Sequence, residues 1–326
     1  MQIKIDNKVV EVKQGETIIK TARREGFEIP SLCYAEGAVH KASCMVCAVK
    51  NLSNGQIMPS CTTIPTEGME IDTSSEEVRL VRTLSLELLL SDHRADCDAP
   101  CSTVCPVGLD VGNMLKFYDD KQYDKAKDLI AGAFSLPEIA CDTCSKVPCE
   151  KVCRRSTVDE AVEIRKIIRD ILEDKADSNR TPIKVSPYKL DKSVFQSKVG
   201  RFTEQERSHL KLTVDTSSRC LHCGCSGQVG CKLRAFASEH GVTRSRYNSS
   251  SALPVLERIH VKDNMWFEQS KCIRCGLCVY NSKNGFTFKN RGFVMEVVIP
   301  EENKVNAGKE LAKLCPTGAI YLEGNI

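Results

Sequence analysis

The sequence predicts an α+β chain of several small modules rather than one large core. Aromatic residues are only 6% of the 326 and apolar residues 41%, too few large side chains for a single extended interior. The N-terminus alternates as strands do, whereas residues 74–92 and 157–172 repeat with helical periodicity. Nineteen cysteines fall in C-x2-C and C-x3-C groups, the inorganic staples on which small cores depend. MQIKIDNKVV holds no long apolar leader, so a reducing, cytoplasmic setting is expected, with metal or cluster binding rather than disulfides. No run approaches the roughly 18 apolar residues of a membrane span, so no direct membrane insertion is expected. A net charge of +3 is too small to argue for nucleic acid.

Residues 1–73 form the first expected domain. Gln2–Ile5 and Val9–Val12 read as strands about an Asp6-Asn7-Lys8 turn. Glu16–Arg24 reads as a helix with Ile18, Ile19 and Ala22 on one side and Gly26 at its end. Cys33, Cys44, Cys47 and Cys61 follow at spacings of ten, two and thirteen residues. Four thiolates satisfy a 2Fe–2S cluster, and Ala42 and Ser43 are small enough for close wrapping. Zinc is the alternative, with loops long for it. CYAEGAVHKASCMVCAVK and MPSCTTIPTEGMEI resemble the N-terminal ferredoxin domain of the large complex I iron–sulfur subunit, which also opens many iron hydrogenase subunits. The resemblance implies a β-grasp domain with one 2Fe–2S cluster.

Residues 74–176 are expected to be helical. Ser74 and Glu77 suggest a capping box, and Val78, Val81, Leu84, Leu88 and Leu89 an apolar stripe that packs the first module onto the next. His93, Cys97, Cys101, Cys105, Cys141, Cys144, Cys149 and Cys153 then supply eight donors, the number for two four-ligand clusters. A histidine at a helix end is most often a cap or a surface residue. On a helical continuation, however, His93 and Cys97 would share a face. LELLLSDHRADC also resembles the complex I segment that supplies a histidine ligand, although that family continues C-x2-C-x5-C and this chain does not.

CDAPCSTVCPVGLDV and PCEKVCRRSTVDEAVEI resemble a second family, the N-terminal helical domain of the glutamate synthase small subunit and of dihydropyrimidine dehydrogenase. That resemblance implies two 4Fe–4S clusters with interleaved ligands beside a flavin domain. Carried over, Cys97, Cys101 and Cys153 belong to one cluster, with His93 in the open place. Cys105, Cys149 and one or both of Cys141 and Cys144 belong to the other. Val111–Phe117 and Asp124–Leu129 read as short helices. Thr157 and Glu160 suggest another capping box ahead of an apolar face of Val158, Ala161, Val162, Ile164, Ile167, Ile168 and Ile171. Arg154 and Arg155 are candidates either to meet a flavin partner or to offset cluster charge.

Residues 177–218 read as a polar linker with one helix capped by Thr203 and Glu206. Residues 219–262 hold Cys220, Cys223, Cys225 and Cys231 among Gly224, Gly227 and Gly230, a four-cysteine module for a 4Fe–4S cluster or, alternatively, one zinc ion. RCLHCGC resembles the segment that follows the flavin domain in relatives of the glutamate synthase small subunit, which favours a cluster. Residues 263–326 hold Cys272, Cys275, Cys278 and the distant Cys315-Pro316, the ligand logic of a bacterial 4Fe–4S ferredoxin. Asn281-Ser282 stands where a twin cluster would begin, so a small ferredoxin-like module with one cluster is expected.

No G-x-G-x-x-G follows a strand, and every cysteine is absorbed by a site, so no catalytic residue is nominated. The expected cofactors are one 2Fe–2S cluster and three to four 4Fe–4S clusters. The expected function is one-electron relay in a multi-subunit oxidoreductase of hydrogenase, formate dehydrogenase or flavin-based bifurcating type. The expected partners are a flavoprotein NAD(P)H oxidoreductase subunit and other subunits of the complex, with ferredoxin a further candidate. The alternatives are a redox-sensing or zinc-bearing interaction protein and an enzyme with an open iron site.

Overall fold

The computed structural model describes residues 1–93, 96–137, 141–173, 217–225, 230–242, 258–283, 285–299 and 309–322, with the isolated positions 204, 207, 208, 211 and 247. The expected linker helix at Thr203 and Glu206 lies outside them. The chain forms two compact units. One takes Met1–His93, Gly227–Ser251 and Arg258–Ile326; the other takes Arg94–Ser226 and Ala252–Glu257.

In the first unit, β1 (Gln2–Ile5) and β2 (Lys8–Glu11) form an antiparallel hairpin. Asp6 and Asn7 both take positive φ, at 46° and 70°, so the turn needs only two residues and β2 begins at Lys8. With β3 (Ala48–Asn51), β4 (Ile57–Pro59) and β5 (Glu70–Asp72) they make a sheet of order β2-β1-β5-β3-β4, in which β1 and β5 run parallel. Helix α1 (Ile18–Arg24) buries Ile18, Ile19 and Ala22 in a core with Ile3, Ile5, Val10 and Val49. Gly26, at φ +86°, lies just beyond its end.

Helix α2 (Glu76–Asp92) corrects two expectations. Its N-cap is Ser75 and carries no side-chain capping bond. Instead Asp72 accepts the Ser74 and Ser75 amides at 3.0 and 3.1 Å, so an upstream turn meets that need. The buried face runs through Val78, Arg82, Leu86 and Leu90, while Leu88 is 53% exposed. A stripe read from hydrophobicity misses this face because a buried arginine sits in its middle. α2 packs on β3 and on the helix Lys232–Glu239. Further along, β6 (Arg258–Lys262) and β7 (Met265–Glu268) form a hairpin, and β8 (Thr287–Lys289) pairs antiparallel with β9 (Glu296–Val298). β10 (Ile320–Leu322) joins the hairpin to give an antiparallel sheet of order β10-β7-β6.

The second unit is helical: α3 (Pro100–Thr103), α4 (Val111–Asp119), α5 (Tyr123–Ala133), α6 (Pro148–Lys151) and α7 (Ile164–Glu173). Asp110 caps α4 by accepting the Asn113 amide at 3.2 Å. Ile164, Ile167, Ile168 and Ile171 of α7 pack against Leu109, Met114 and Ile130. The capping box at Thr157 and Glu160 does not form. Arg154–Thr157 is a 3-10 turn, and Asp159 is engaged by Arg155 (2.6 Å), so the helix starts later, at Ile164. Among the described residues no helix is long and apolar enough to cross a membrane.

Candidate metal centres

Cys33, Cys44, Cys47 and Cys61 lie buried, with Cys47 just ahead of β3 and Cys61 just past β4. The thiols perturb one another: proximity to Cys44 and Cys61 draws the Cys33 thiol down, and proximity to Cys33 pushes Cys44 and Cys61 up. Thiols this crowded ionise together only with a cation between them, which iron supplies. The backbone does the wrapping. Met45 takes φ +54° between two ligand candidates, and the Cys47 carbonyl accepts from Ser60 Oγ at 2.7 Å. Arg82 donates to the Ala48 carbonyl at 2.8 and 3.2 Å, and its charge interacts with Cys47. Sequence reading misses Arg82, since nothing in a helical stripe marks one cation as inward-facing.

Cys272, Cys275, Cys278 and Cys315 converge in the same unit. Burial pushes the Cys272 thiol up to about 12, and the charge of Cys315 adds to it. Cys278 is raised by burial and then by Cys272, Cys315 and Cys275. Backbone amides point at the sulfurs: Arg274 N to Cys272 at 3.3 Å and Ile320 N to Cys315 at 3.4 Å. Such bonds tune a cluster's potential. Gly276 has φ +79°, and a Cβ there would lie 2.5 Å from the Tyr280 ring, so the turn accepts only glycine.

This C-terminal cradle adjoins the N-terminal one. Asn281, in the short helix Leu277–Asn281, accepts the Val39 amide at 3.0 Å and donates to the Val39 carbonyl at 2.8 Å. Lys41 Nζ sits 5.1 Å from the Tyr280 ring centroid, and Cys275 feels the charge of Cys33. In sequence, Asn281 marks only the place where a twin cluster is lost.

In the second unit, burial lifts Cys141 to about 11 and Cys149 to about 12. Cys105 adds to both and Cys144 to Cys141. Cys101 is raised well above the ordinary range by burial, then by Cys223, Cys220, Cys153 and Cys149. Cys97 lies in a segment bonded to Cys225, whose N–H donates to the Cys97 carbonyl at 3.2 Å. His93 is buried, but α2 has already ended and His93 is extended, so no helical continuation puts it on a face with Cys97. Cys231 caps the helix Lys232–Glu239, its sulfur accepting the Arg234 amide. Arg154 pairs with Asp96 at 2.7 Å and Arg155 with Asp159, so both guanidiniums are engaged within the unit. Among the described residues no three His, Cys, Asp or Glu side chains are set for a single metal ion. The groups above are neighbourhoods of thiols.

Comparison with known proteins gives these neighbourhoods a class. Residues 1–76 match the 2Fe–2S iron–sulfur cluster binding domain family. Residues 87–180 match dihydropyrimidine dehydrogenase domain II, 4Fe–4S cluster, and residues 265–322 the 4Fe–4S single cluster domain. The chain therefore carries one domain of a 2Fe–2S family and two of 4Fe–4S families.

Its relatives are more particular. It is 26% identical to an NADH-quinone oxidoreductase subunit of Rhizobium meliloti over 75% of this chain and 30% of that one. It is 41% identical to the NADP-reducing hydrogenase subunit HndD of Solidesulfovibrio fructosivorans over 30% of this chain and 17% of that one. It is 30% identical to the gamma subunit of the NAD-reducing hydrogenase HoxS of Cupriavidus necator over 30% of this chain and 41% of that one. The chain thus matches less than half the length of each. In fold it is similar to a chain of an NAD+-reducing [NiFe]-hydrogenase crystal structure in the H2-reduced state, with TM-score 0.52 and 16% identity over 99% of this chain and 88% of that chain.

Proposed function

We propose that the chain is the electron-relay subunit of a multi-subunit NAD(P)H-linked oxidoreductase in the cytoplasm. When bound, its clusters supply one-electron carriage between a flavin-bearing NAD(P)H oxidoreductase subunit and a second redox site on another subunit or on ferredoxin. The protein buries the thiols, aims amide N–H groups at sulfur and sets cations such as Arg82 nearby. The donors are Cys33, Cys44, Cys47 and Cys61 for the 2Fe–2S cluster, and Cys272, Cys275, Cys278 and Cys315 for the C-terminal 4Fe–4S cluster. His93 and the cysteines from Cys97 to Cys231 serve the remaining 4Fe–4S clusters. The sheet order β2-β1-β5-β3-β4 with α1 packed on it supports a β-grasp reading of the first domain.

One observation carries the relay: cradles from the two ends of the sequence adjoin through Asn281 and Val39, so one can pass an electron to the other. The test is anaerobic purification of the native complex, with iron, sulfide and flavin counted per chain. Five clusters predict about 18 iron atoms, alongside a flavin-bearing subunit. Iron near zero in material never exposed to air, or a complex without flavin, would overturn the proposal.

A further inference from the structure

We infer that one 4Fe–4S cluster of the second unit is held by Cys101, Cys153, Cys220 and Cys223, so that the CLHC pair beyond the linker completes a site begun far upstream. The inference rests on the iron–sulfur reading above and departs from the set implied by resemblance, which takes Cys97 and His93 with Cys101 and Cys153.

The backbone seats the late segment on the early one. Gly224 bridges Asp96 in the parallel sense. Asp96 N donates to the Cys223 carbonyl at 3.1 Å, and Cys225 N to the Cys97 carbonyl at 3.2 Å. A Cβ on Gly224 would meet Ala99 N at 3.0 Å and Ala99 Cβ at 3.3 Å, so glycine permits this close approach. Cys101 and Cys220, each 8% exposed, share the unit's core with Ala99, and Cys153 and Cys223 pack against it.

Polar groups fix the same arrangement from two sides. Arg154, next to Cys153, grips Asp96 with two nitrogens at 2.8 and 2.9 Å. Asp119, at the end of α4, accepts from Ser218 N at 2.7 Å and Ser218 Oγ at 2.5 Å, and pairs with His222 Nε2 at 2.9 Å. Ser218 Oγ in turn accepts the Cys220 amide at 3.1 Å. The pieces bearing Cys153, Cys220 and Cys223 are thus pinned around α3, which bears Cys101.

The other donors then sort themselves. Cys105, Cys141 and Cys149, which pack against the same core, are left with Cys144 of the Cys141 pair for the second cluster of the unit. This assignment leaves Cys97 and Cys225, joined through their backbones, to a different centre. The run from Cys220 to Cys231, which reads in sequence as one module, is divided between two.

The test uses the full-length chain, prepared without oxygen and reduced with dithionite, followed by electron paramagnetic resonance and iron analysis. Cys101→Ala and Cys220→Ala should each remove the same signal and about four iron atoms. The double variant should lose no more than either single one. Cys225→Ala should remove a different signal. The inference is overturned if Cys220→Ala and Cys225→Ala delete one shared signal while Cys101→Ala deletes another. Should the variants lose every centre, ferricyanide breakdown of wild-type protein decides, with the resulting disulfides located by peptide fragmentation. Links from Cys220 or Cys223 to Cys101 or Cys153 support the inference; links confined to Cys220, Cys223, Cys225 and Cys231 defeat it. Wild-type protein without iron would overturn the iron–sulfur reading itself.

Discussion

The N-terminal cradle draws its four thiols from one stretch, Cys33 to Cys61, laid against a sheet with its own aliphatic core of Ile3, Ile5, Ile18 and Ile71. The central cradle brings together α3, the end of α6 and a segment beyond the linker, and its thiols are part of the core they line. In the first, the sheet and α1 form a core in which only Cys47 and Cys61 take part, so the loop has a frame to wrap. In the second, closing a long loop costs entropy that cluster and ion pairs must offset together. The difference teaches where each site is vulnerable. The local cradle should survive loss of a neighbouring contact. The assembled one should not.

The largest effect should come from Arg154→Met. Asp96 is almost fully buried and is held by two guanidinium nitrogens, while its amide carries the Cys223 carbonyl. Removing the arginine takes away the cation paired with a buried carboxylate, which costs about 3–5 kcal/mol. Anaerobic urea unfolding followed by cluster absorbance should show the central clusters released at lower urea while the 2Fe–2S signal keeps its midpoint. Equal shifts of both would break the comparison.

The same contrast explains what the sequence discloses. Four ligands within one loop, or three at C-x2-C-x2-C spacing with a Cys-Pro, announce themselves, since cluster geometry constrains neighbouring residues directly. The strands about Asp6-Asn7 and the inward side of α1 are legible for the same local reason. The α2 stripe is misread because Arg82 breaks the hydrophobic pattern on the face that is buried. The helix expected from Thr157 is misplaced because a capping pattern says nothing of a competing Arg155–Asp159 pair. Above all, spacing records only distance along the chain, so the partnership proposed for Cys220 and Cys223 with Cys101 and Cys153 leaves no mark in it. The bridge from Gly224 to Asp96 exists only in three dimensions.

A smaller effect, confined to the local cradle, should follow Arg82→Met. The change leaves the Ala48 carbonyl without its donor, a cost of about 1–3 kcal/mol, with the methionine stem retaining much of the packing. It also removes a cation whose charge interacts with Cys47, so the reduced, more negative cluster loses stabilisation and the 2Fe–2S potential should fall. Redox titration monitored by electron paramagnetic resonance should show that signal moving and the 4Fe–4S signals staying. Arg82→Lys, which keeps the charge but not the paired bonds, should restore the potential better than the stability. A potential unchanged in both would mean that Arg82 is structural only.

The smallest effect on stability, and the most telling for relay, should come from Asn281→Ala. Asn281 spends both ends of its amide on the Val39 backbone and also donates to the Leu277 carbonyl at 2.8 Å. The contact is partly exposed, so its loss should cost only about 0.5–1.5 kcal/mol, and iron content should not change. Freeze-quench spectroscopy would follow an electron between the 2Fe–2S cluster and the C-terminal 4Fe–4S cluster. Slower equilibration with unchanged potentials would show that Asn281 keeps the two cradles in register. An unchanged rate would assign that task to the Lys41–Tyr280 contact, and Tyr280→Leu would then produce the slowing. In either case the contrast with Arg154→Met stands, since a join between two finished cradles can be weakened without emptying either one.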